Sequence, residues 1–207
     1  ATSIIVSEIE SSPWVVVFGL GMVGNLASQA FHIRGWRVIG VDPVEARREI
    51  ARQCNIPYTV GGVSVEVQEQ IKEITNGEMG QITVDAVGHS QVILEALKAT
   101  ANYGQVVLLG TPRVSVDGDL TELLSDVHLR WITIRGALEW CLPMYTEAGN
   151  HVSQFSKQQM IFDWIDRDKL TIEPLISHHL KPEQIKDAYD GLLNTPDTYT
   201  GVLLEWN

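Results

Sequence analysis

The sequence has few cysteines, no clustered positive charge and no long apolar segment. Its only cysteines, Cys54 and Cys141, lie far apart and form no CxxC pair, so we expect two free, buried thiols rather than a disulfide framework. No apolar run approaches the roughly 20 residues that span a bilayer. No basic segment precedes an apolar core near Ala1, as a signal peptide would require. These absences predict a cytoplasmic protein without a membrane partner.

Acidic residues outnumber basic ones. The 207 residues include 26 Asp and Glu against 15 Lys and Arg, which gives a formal net charge of -11. Such a surface repels the phosphate backbone of nucleic acids, so we expect no nucleic-acid partner. It still permits an anionic cofactor, because backbone N–H groups at a helix start can bind a pyrophosphate.

Strand and helix patterns alternate along most of the chain. β-Branched apolar runs predict six strands, at 14–19, 36–42, 57–60, 82–87, 105–110 and 131–137. Helical spacing of apolar residues predicts helices at 23–33, 44–54, 64–75 and 91–100. This alternation is typical of a doubly wound α/β fold with a parallel six-stranded Rossmann sheet. No regular element is predicted over 111–130.

The pattern changes after the sixth strand. An amphipathic helix is predicted at 153–167, followed by a strand at 175–179, a helix at 182–193 and a strand at 201–206. These elements do not extend the alternation. We therefore divide the chain into a linker (1–13), a Rossmann domain (14–170) and a C-terminal segment (171–207).

A glycine-rich hexapeptide follows the first predicted strand and opens the first predicted helix. It reads G-x-G-x-x-G and consists of Gly19, Leu20, Gly21, Met22, Val23 and Gly24. In a strand–helix–strand unit, this motif is the fingerprint of dinucleotide binding. The first glycine permits a tight turn, the second lets the backbone approach the pyrophosphate, and the third allows close helix–strand packing.

An acidic residue stands where the ribose of a dinucleotide is bound. Asp42 ends the second predicted strand and is followed by Pro43 at a helix start. A carboxylate there accepts hydrogen bonds from the ribose hydroxyls of NAD and repels the additional phosphate of NADP. The motif and Asp42 together predict NAD as the cofactor.

Other strand ends should line the same crevice. In open α/β sheets, ligands bind outside the carboxyl ends of the strands, where the strand order reverses. The candidate residues there are Ala86, Val87 and Gly88 after the fourth strand and Leu109, Gly110 and Thr111 after the fifth. We interpret Asp85 as a solvated or hydrogen-bonded strand-end residue, with a functional carboxylate as the alternative.

Taken together, these segments resemble the nucleotide-binding half of medium-chain, zinc-type alcohol dehydrogenases. The similarity lies in residues 19–51, 84–113, 131–140, 170–194 and 201–206, in order. The resemblance implies an oxidoreductase that transfers hydride between an alcohol and NAD. It leaves open whether the substrate is a simple alcohol, a polyol or threonine.

The resemblance also implies further cofactor contacts. Val23 would pack behind the nicotinamide ring, and Arg47 would lie beside the adenosine ribose. Leu109 and Thr111 would flank the nicotinamide. Backbone groups of Ala137 and Glu139 would bind its carboxamide.

In the resembling family, a β-rich domain carries the catalytic zinc and precedes the Rossmann unit. A catalytic zinc needs three converging protein ligands, and His151, His178, His179 and Cys141 qualify by residue type only. We therefore expect zinc in a longer parent enzyme and none in this chain. We expect a fragment that binds cofactor without turnover, with its C-terminal segment packing partly on the absent domain.

Two function classes stay open at this point. The chain is either the cofactor-binding part of an alcohol dehydrogenase or a non-catalytic module that binds or senses NAD(H). A short-chain dehydrogenase is disfavoured, because no tyrosine is followed by lysine four residues later, and a methyltransferase is a distant third. An apolar sixth strand at a sheet edge further predicts a homodimer formed through residues 131–137.

Overall fold

A six-stranded parallel sheet forms the centre of the computed structural model, which describes residues 14–146 and 152–206. The strands lie in the order β3-β2-β1-β4-β5-β6, which reverses between β1 and β4. They are β1 (Trp14–Phe18), β2 (Arg37–Val41), β3 (Tyr58–Val60), β4 (Gly80–Asp85), β5 (Thr100–Leu108) and β6 (Thr133–Gly136). This order confirms the predicted doubly wound Rossmann sheet and places β6 at an edge.

Seven α-helices occur in the described residues. They are α1 (Met22–Ile33), α2 (Glu45–Gln53), α3 (Ser64–Ile74), α4 (Ser90–Lys98), α5 (Leu120–Leu129), α6 (Gln154–Asp166) and α7 (Ile185–Asn194). The central strands are buried on both faces, which is why they read as continuous apolar runs. Two apolar layers result. Val16 and Ile39 belong to one, and Val15, Val17 and Phe31 belong to the other.

Helix α5 is absent from the sequence prediction, which left 111–130 without a regular element. The carboxylate of Asp119 caps this helix by accepting hydrogen bonds from the backbone N–H groups of Thr121 and Glu122. Leu123 and Val127 pack against the core, but no residue of α5 is fully buried. A helix held by so little burial has a weak apolar pattern, although the Asp119 cap was a usable signal.

Several predicted strand ends need correction. Residues 86–87 lie outside β4, because the chain turns away after Asp85 and leaves Val87 53% exposed. β5 begins at Thr100 rather than at 105, and its pairing with β4 shifts register between Gly80 and Ile82. β6 begins at Thr133 rather than at 131. Trp131, with a positive φ of 54°, lies in the turn that follows α5.

The C-terminal segment forms a small parallel pair of strands, β7 (His178–Leu180) and β8 (Val202–Leu204). The strand predicted over 175–179 is therefore wrong at its start, because residues 173–175 form a 3₁₀ turn. Pro174 lacks the N–H group that strand pairing requires. Within the described ranges, no helix is both long and apolar enough to cross a membrane.

The segment is attached to the sheet domain by a buried polar side chain of α1. The Gln29 amide donates a 2.8 Å hydrogen bond to the carbonyl of Thr171 and accepts one of 2.7 Å from its N–H. The thiol of Cys54, in turn, donates to the same carbonyl over 3.7 Å. Cys54 is buried and free, as predicted, but Cys141 is exposed, so the expectation of two buried thiols is wrong.

Candidate functional site

The glycine-rich turn between β1 and α1 is shaped by two glycines that the protein itself requires. Gly19 has a φ of +90°, a conformation that side chains rarely adopt. A Cβ atom at Gly24 would lie only 1.8 Å from the carbonyl oxygen of Gly19 and 3.1 Å from the Cβ of Ala86. These contacts confirm the roles predicted for Gly19 in the turn and Gly24 in close helix–strand packing.

Gly21 differs, because no contact among the described residues requires a glycine there. A Cβ atom there would meet no atom of residues 14–146 and 152–206 within 4 Å, and its φ of -61° is open to any residue. Gly21 is the N-cap of α1 and provides no side chain to satisfy the first N–H groups of the helix. Met22 and Val23, which follow it, are exposed. The N-terminus of α1 thus opens onto free space with its partial positive charge.

Asp42 lies directly beside this turn. Its carboxylate is 1% exposed and accepts hydrogen bonds from the N–H of Leu20 at 2.8 Å and of Val44 at 2.9 Å. Arg47 Nη1 approaches the same carboxylate to 3.7 Å. Asp42 therefore links the glycine turn to the end of β2, and its carboxylate has Arg47 as a cationic neighbour. Pro43, the next residue, is exposed.

The ends of β4 and β5 meet at Asp85. Its buried carboxylate accepts hydrogen bonds from the N–H groups of Val87 and Gly88, so it is hydrogen-bonded rather than solvated. Its carbonyl accepts from the N–H groups of Leu109 and Gly110. Burial raises the pKa of Asp85, and the two backbone hydrogen bonds offset part of that rise. These contacts give Asp85 a structural role.

The predicted site residues lie together at the carboxyl end of the sheet. A Cβ at Gly19 would touch Val87, and a Cβ at Gly88 would touch Thr111, which brings the turn after β1 against the ends of β4 and β5. Ala137 is buried beside β5, and its N–H donates to the carbonyl of Leu108 at 3.0 Å. Glu139 is exposed in a short 3₁₀ turn just beyond.

The histidines considered as zinc ligands do not converge. The ring of His178 stacks on Tyr199 with centroids 3.7 Å apart, whereas His179 lies 2.8 Å from the carboxylate of Glu205. His151 lies outside the described residues. Among residues 14–146 and 152–206, no three His, Cys, Asp or Glu side chains are placed to hold a metal ion. The described residues therefore do not fit a zinc site.

Comparisons with known proteins agree with this geometry. The family described as Zinc-binding dehydrogenase matches residues 22–152. Alcohol dehydrogenase 1 of Trifolium repens is 28% identical over 183 residues, which cover 86% of this chain and 44% of that protein. The chain thus spans about half the length of the curated relatives it matches.

Solved structures show the same fold. 2R,3R-butanediol dehydrogenase from Bacillus subtilis superposes with a TM-score of 0.79 at 15% identity, covering 100% of this chain and 54% of that one. Acetophenone reductase from Geotrichum candidum, solved in complex with NAD, gives a TM-score of 0.71 at 19% identity and covers 94% of this chain and 49% of that one. With its family match and Rossmann sheet, the chain belongs to the zinc-binding dehydrogenase family and corresponds to its nucleotide-binding half.

Proposed function

We propose that NAD(H) binds at the carboxyl end of the sheet, where the turn after β1 lies beside the ends of β2, β4 and β5. One observation carries this proposal most directly. Gly21 faces empty space at the start of α1, where neither strain nor packing requires a glycine. A glycine at a helix N-terminus leaves room for a pyrophosphate to approach the backbone N–H groups closely.

Each part of the site has a task towards the cofactor. The first N–H groups of α1 donate to the pyrophosphate, and Val23 packs behind the nicotinamide ring. Leu109, Gly110 and Thr111 border the ring on the β5 side. The backbone of Ala137 and Glu139 orients its carboxamide. When bound, the nicotinamide supplies the carbon that accepts or releases hydride.

The ribose hydroxyls are assigned to Asp42. Each of its carboxylate oxygens accepts one backbone N–H and retains a further lone pair for a hydroxyl group. The carboxylate is buried, and the side chain of Arg47, itself 27% exposed, lies 3.7 Å from it. A negative charge at this position favours NAD over NADP.

Replacement of Asp42 tests the assignment. Asp42→Asn should weaken NADH binding about ten- to a hundredfold, the range expected for loss of hydrogen bonds to a charged acceptor, while NADPH gains relative ground. Glu73→Gln removes a charge from an exposed side chain in the last turn of α3 and should leave both affinities unchanged. NADH fluorescence titrations of folded protein would measure both. Equal NADH affinity for Asp42→Asn and wild type would refute the assignment.

For the whole protein, we propose hydride transfer between an alcohol and NAD. The support is the family match and the names of the relatives, which include alcohol and threonine dehydrogenases. We assign cofactor binding alone to the described residues, because they do not fit a zinc site. The alternative is a module that binds or senses NAD(H) without catalysis. Alcohol oxidation by the full-length protein would exclude it.

The C-terminal segment, residues 171–207, is proposed to pack partly on a second domain. Its start is anchored to the Rossmann domain, residues 14–170, through Thr171 and the buried Leu175. Its far side exposes large apolar side chains: Leu193 is 79% exposed and Trp206 is 80% exposed. Such surface is the kind that a neighbouring domain covers.

We also propose a homodimer formed through β6. This strand is a sheet edge with all four residues exposed, and Ile134 and Leu138 add apolar surface there. A strand at the edge of a sheet can pair with a second copy to give one continuous sheet. A monomer by light scattering at micromolar concentration would contradict this assembly.

A further inference from the structure

Two features of the proposed ribose site favour different cofactors. An acidic residue at the end of the second strand is the feature of NAD binding, whereas a nearby arginine accommodates the 2′-phosphate of NADP. Both are present here, because Arg47 Nη1 lies 3.7 Å from the Asp42 carboxylate. The preference of the site therefore depends on what else engages the Arg47 guanidinium.

A second carboxylate reaches Arg47 from the C-terminal segment. Asp197 Oδ1 lies 4.0 Å from Arg47 Nη2, the terminal nitrogen on the other side of the guanidinium. The two carboxylates come from positions far apart in the sequence, one at the end of β2 and one beyond α7. Arg47 is thus flanked by a buried carboxylate and by one whose side chain is 68% exposed.

The loop that carries Asp197 is held in place by its own contacts. The backbone N–H groups of Thr198 and Tyr199 each donate a 3.0 Å hydrogen bond to the carbonyl of Thr195. The ring of Tyr199 stacks on His178 and lies against Gly191, where a Cβ would come within 2.4 Å of it. This packing fixes the position from which Asp197 faces Arg47.

The other charges of α2 do not alter this balance. Four other charged side chains on the helix pair with one another, namely Glu45, Arg48, Glu49 and Arg52, and Arg48 also donates to the main-chain carbonyl of Asp42. Two acids and two bases cancel, so Asp42, Arg47 and Asp197 set the charge at the ribose end. Loss of Asp197 would leave the Arg47 guanidinium facing Asp42 and free on its other side to meet a phosphate.

We infer that Asp197 is a positioning residue for cofactor choice: it engages Arg47 and keeps that guanidinium from serving as the partner of a ribose 2′-phosphate. The inference rests on the proposed binding of NAD(H) at Asp42. It assigns discrimination between NAD and NADP to the C-terminal segment as well as to the Rossmann domain. Asp197 then influences cofactor choice through Arg47 without itself contacting the cofactor.

The test compares NADH and NADPH affinities for wild type, Asp197→Asn and the matched control Glu73→Gln. Asp197→Asn removes one exposed charge with little change of shape, so the protein should fold normally. The ratio of the NADPH to the NADH dissociation constant should fall about three- to tenfold in Asp197→Asn, as expected when the released Arg47 guanidinium gains a partly exposed ion pair with the 2′-phosphate. NADH affinity itself and the Glu73→Gln ratio should stay within about twofold of wild type.

A double variant separates this role from a general charge effect. In an Arg47→Gln background, Asp197→Asn should leave the affinity ratio unchanged, because the guanidinium through which Asp197 acts is gone. An equal fall in the ratio with and without Arg47 would overturn the positioning role. An unchanged ratio in the single variant, with wild type binding NADH, would overturn the inference alone. Failure of wild type to bind either cofactor would overturn both it and the proposed function.

Discussion

Two alanine substitutions in the glycine turn should separate effects on stability from effects on cofactor binding. In Gly24→Ala, the new Cβ would lie 1.8 Å from the Gly19 carbonyl oxygen, so the turn or α1 must move by more than 1 Å. Overpacking of this kind costs about 1–3 kcal/mol, and sometimes more. The gain in helix propensity from alanine is at most about 1 kcal/mol. We therefore expect a net loss of about 1–2 kcal/mol.

Gly21→Ala is the matched control for stability. Its Cβ meets no protein atom within 4 Å, and its backbone conformation suits alanine. A small N-cap penalty and the reduced entropy of the unfolded chain are each below about 1 kcal/mol and opposite in sign. Stability should stay within about 0.5 kcal/mol of wild type, whereas NADH binding should weaken at least about tenfold, since the Cβ occupies the path of the pyrophosphate.

Urea unfolding followed by tryptophan fluorescence measures the first effect, and NADH titration of the folded variants measures the second. The chain contains six tryptophans, two of which, Trp14 and Trp164, are buried and report on unfolding. Gly24→Ala with wild-type stability would refute the packing argument. A folded Gly21→Ala that binds NADH as wild type does would refute the argument that Gly21 exists for a ligand.

Three further predictions follow from burial and exposure. In the native protein, one thiol should react rapidly with Ellman's reagent and two should react in denaturant; Cys141→Ala should abolish the rapid reaction, because Cys54 is buried and burial raises its pKa. The pKa of Asp85 is raised in the folded state, so its contribution to stability is present below pH 3.8 and is lost as pH rises through the folded pKa. In urea unfolding, wild type should therefore gain stability as the pH falls from 7 to 4, whereas Asp85→Asn should lack this gain. A difference in stability that does not change with pH would contradict this. Ile134→Lys should convert the proposed dimer to a monomer in analytical ultracentrifugation, since a charge on an edge strand opposes pairing; an unchanged dimer would exclude β6 as the interface.

Local sequence patterns predicted the Rossmann sheet well because its central strands are buried on both faces. Val15, Val16 and Val17 are fully buried, and such strands read as continuous apolar runs. The glycine turn was predictable for a similar reason, because Gly19 and Gly24 are required by geometry within one short segment. Residue type and spacing carry that information without knowledge of distant contacts.

Features that depend on weak burial or on distant residues could not be read in this way. Helix α5 has no buried residue, so its leucines gave only a faint period. The start of β5 was misplaced because the exposed residues Asn102 and Tyr103 interrupt the apolar pattern within the strand. The approach of Asp197 to Arg47 depends on how the C-terminal segment folds back, which no local pattern specifies.

Calorimetric titration of the unmodified chain with NADH tests the central claim most directly. The account predicts saturable binding of one NADH per chain at the glycine turn, with weaker binding of NADPH. Measurements at two temperatures guard against a binding enthalpy near zero at one of them. Absence of saturable binding by both oxidised and reduced nicotinamide cofactors at both temperatures, with folded protein, would contradict the claim.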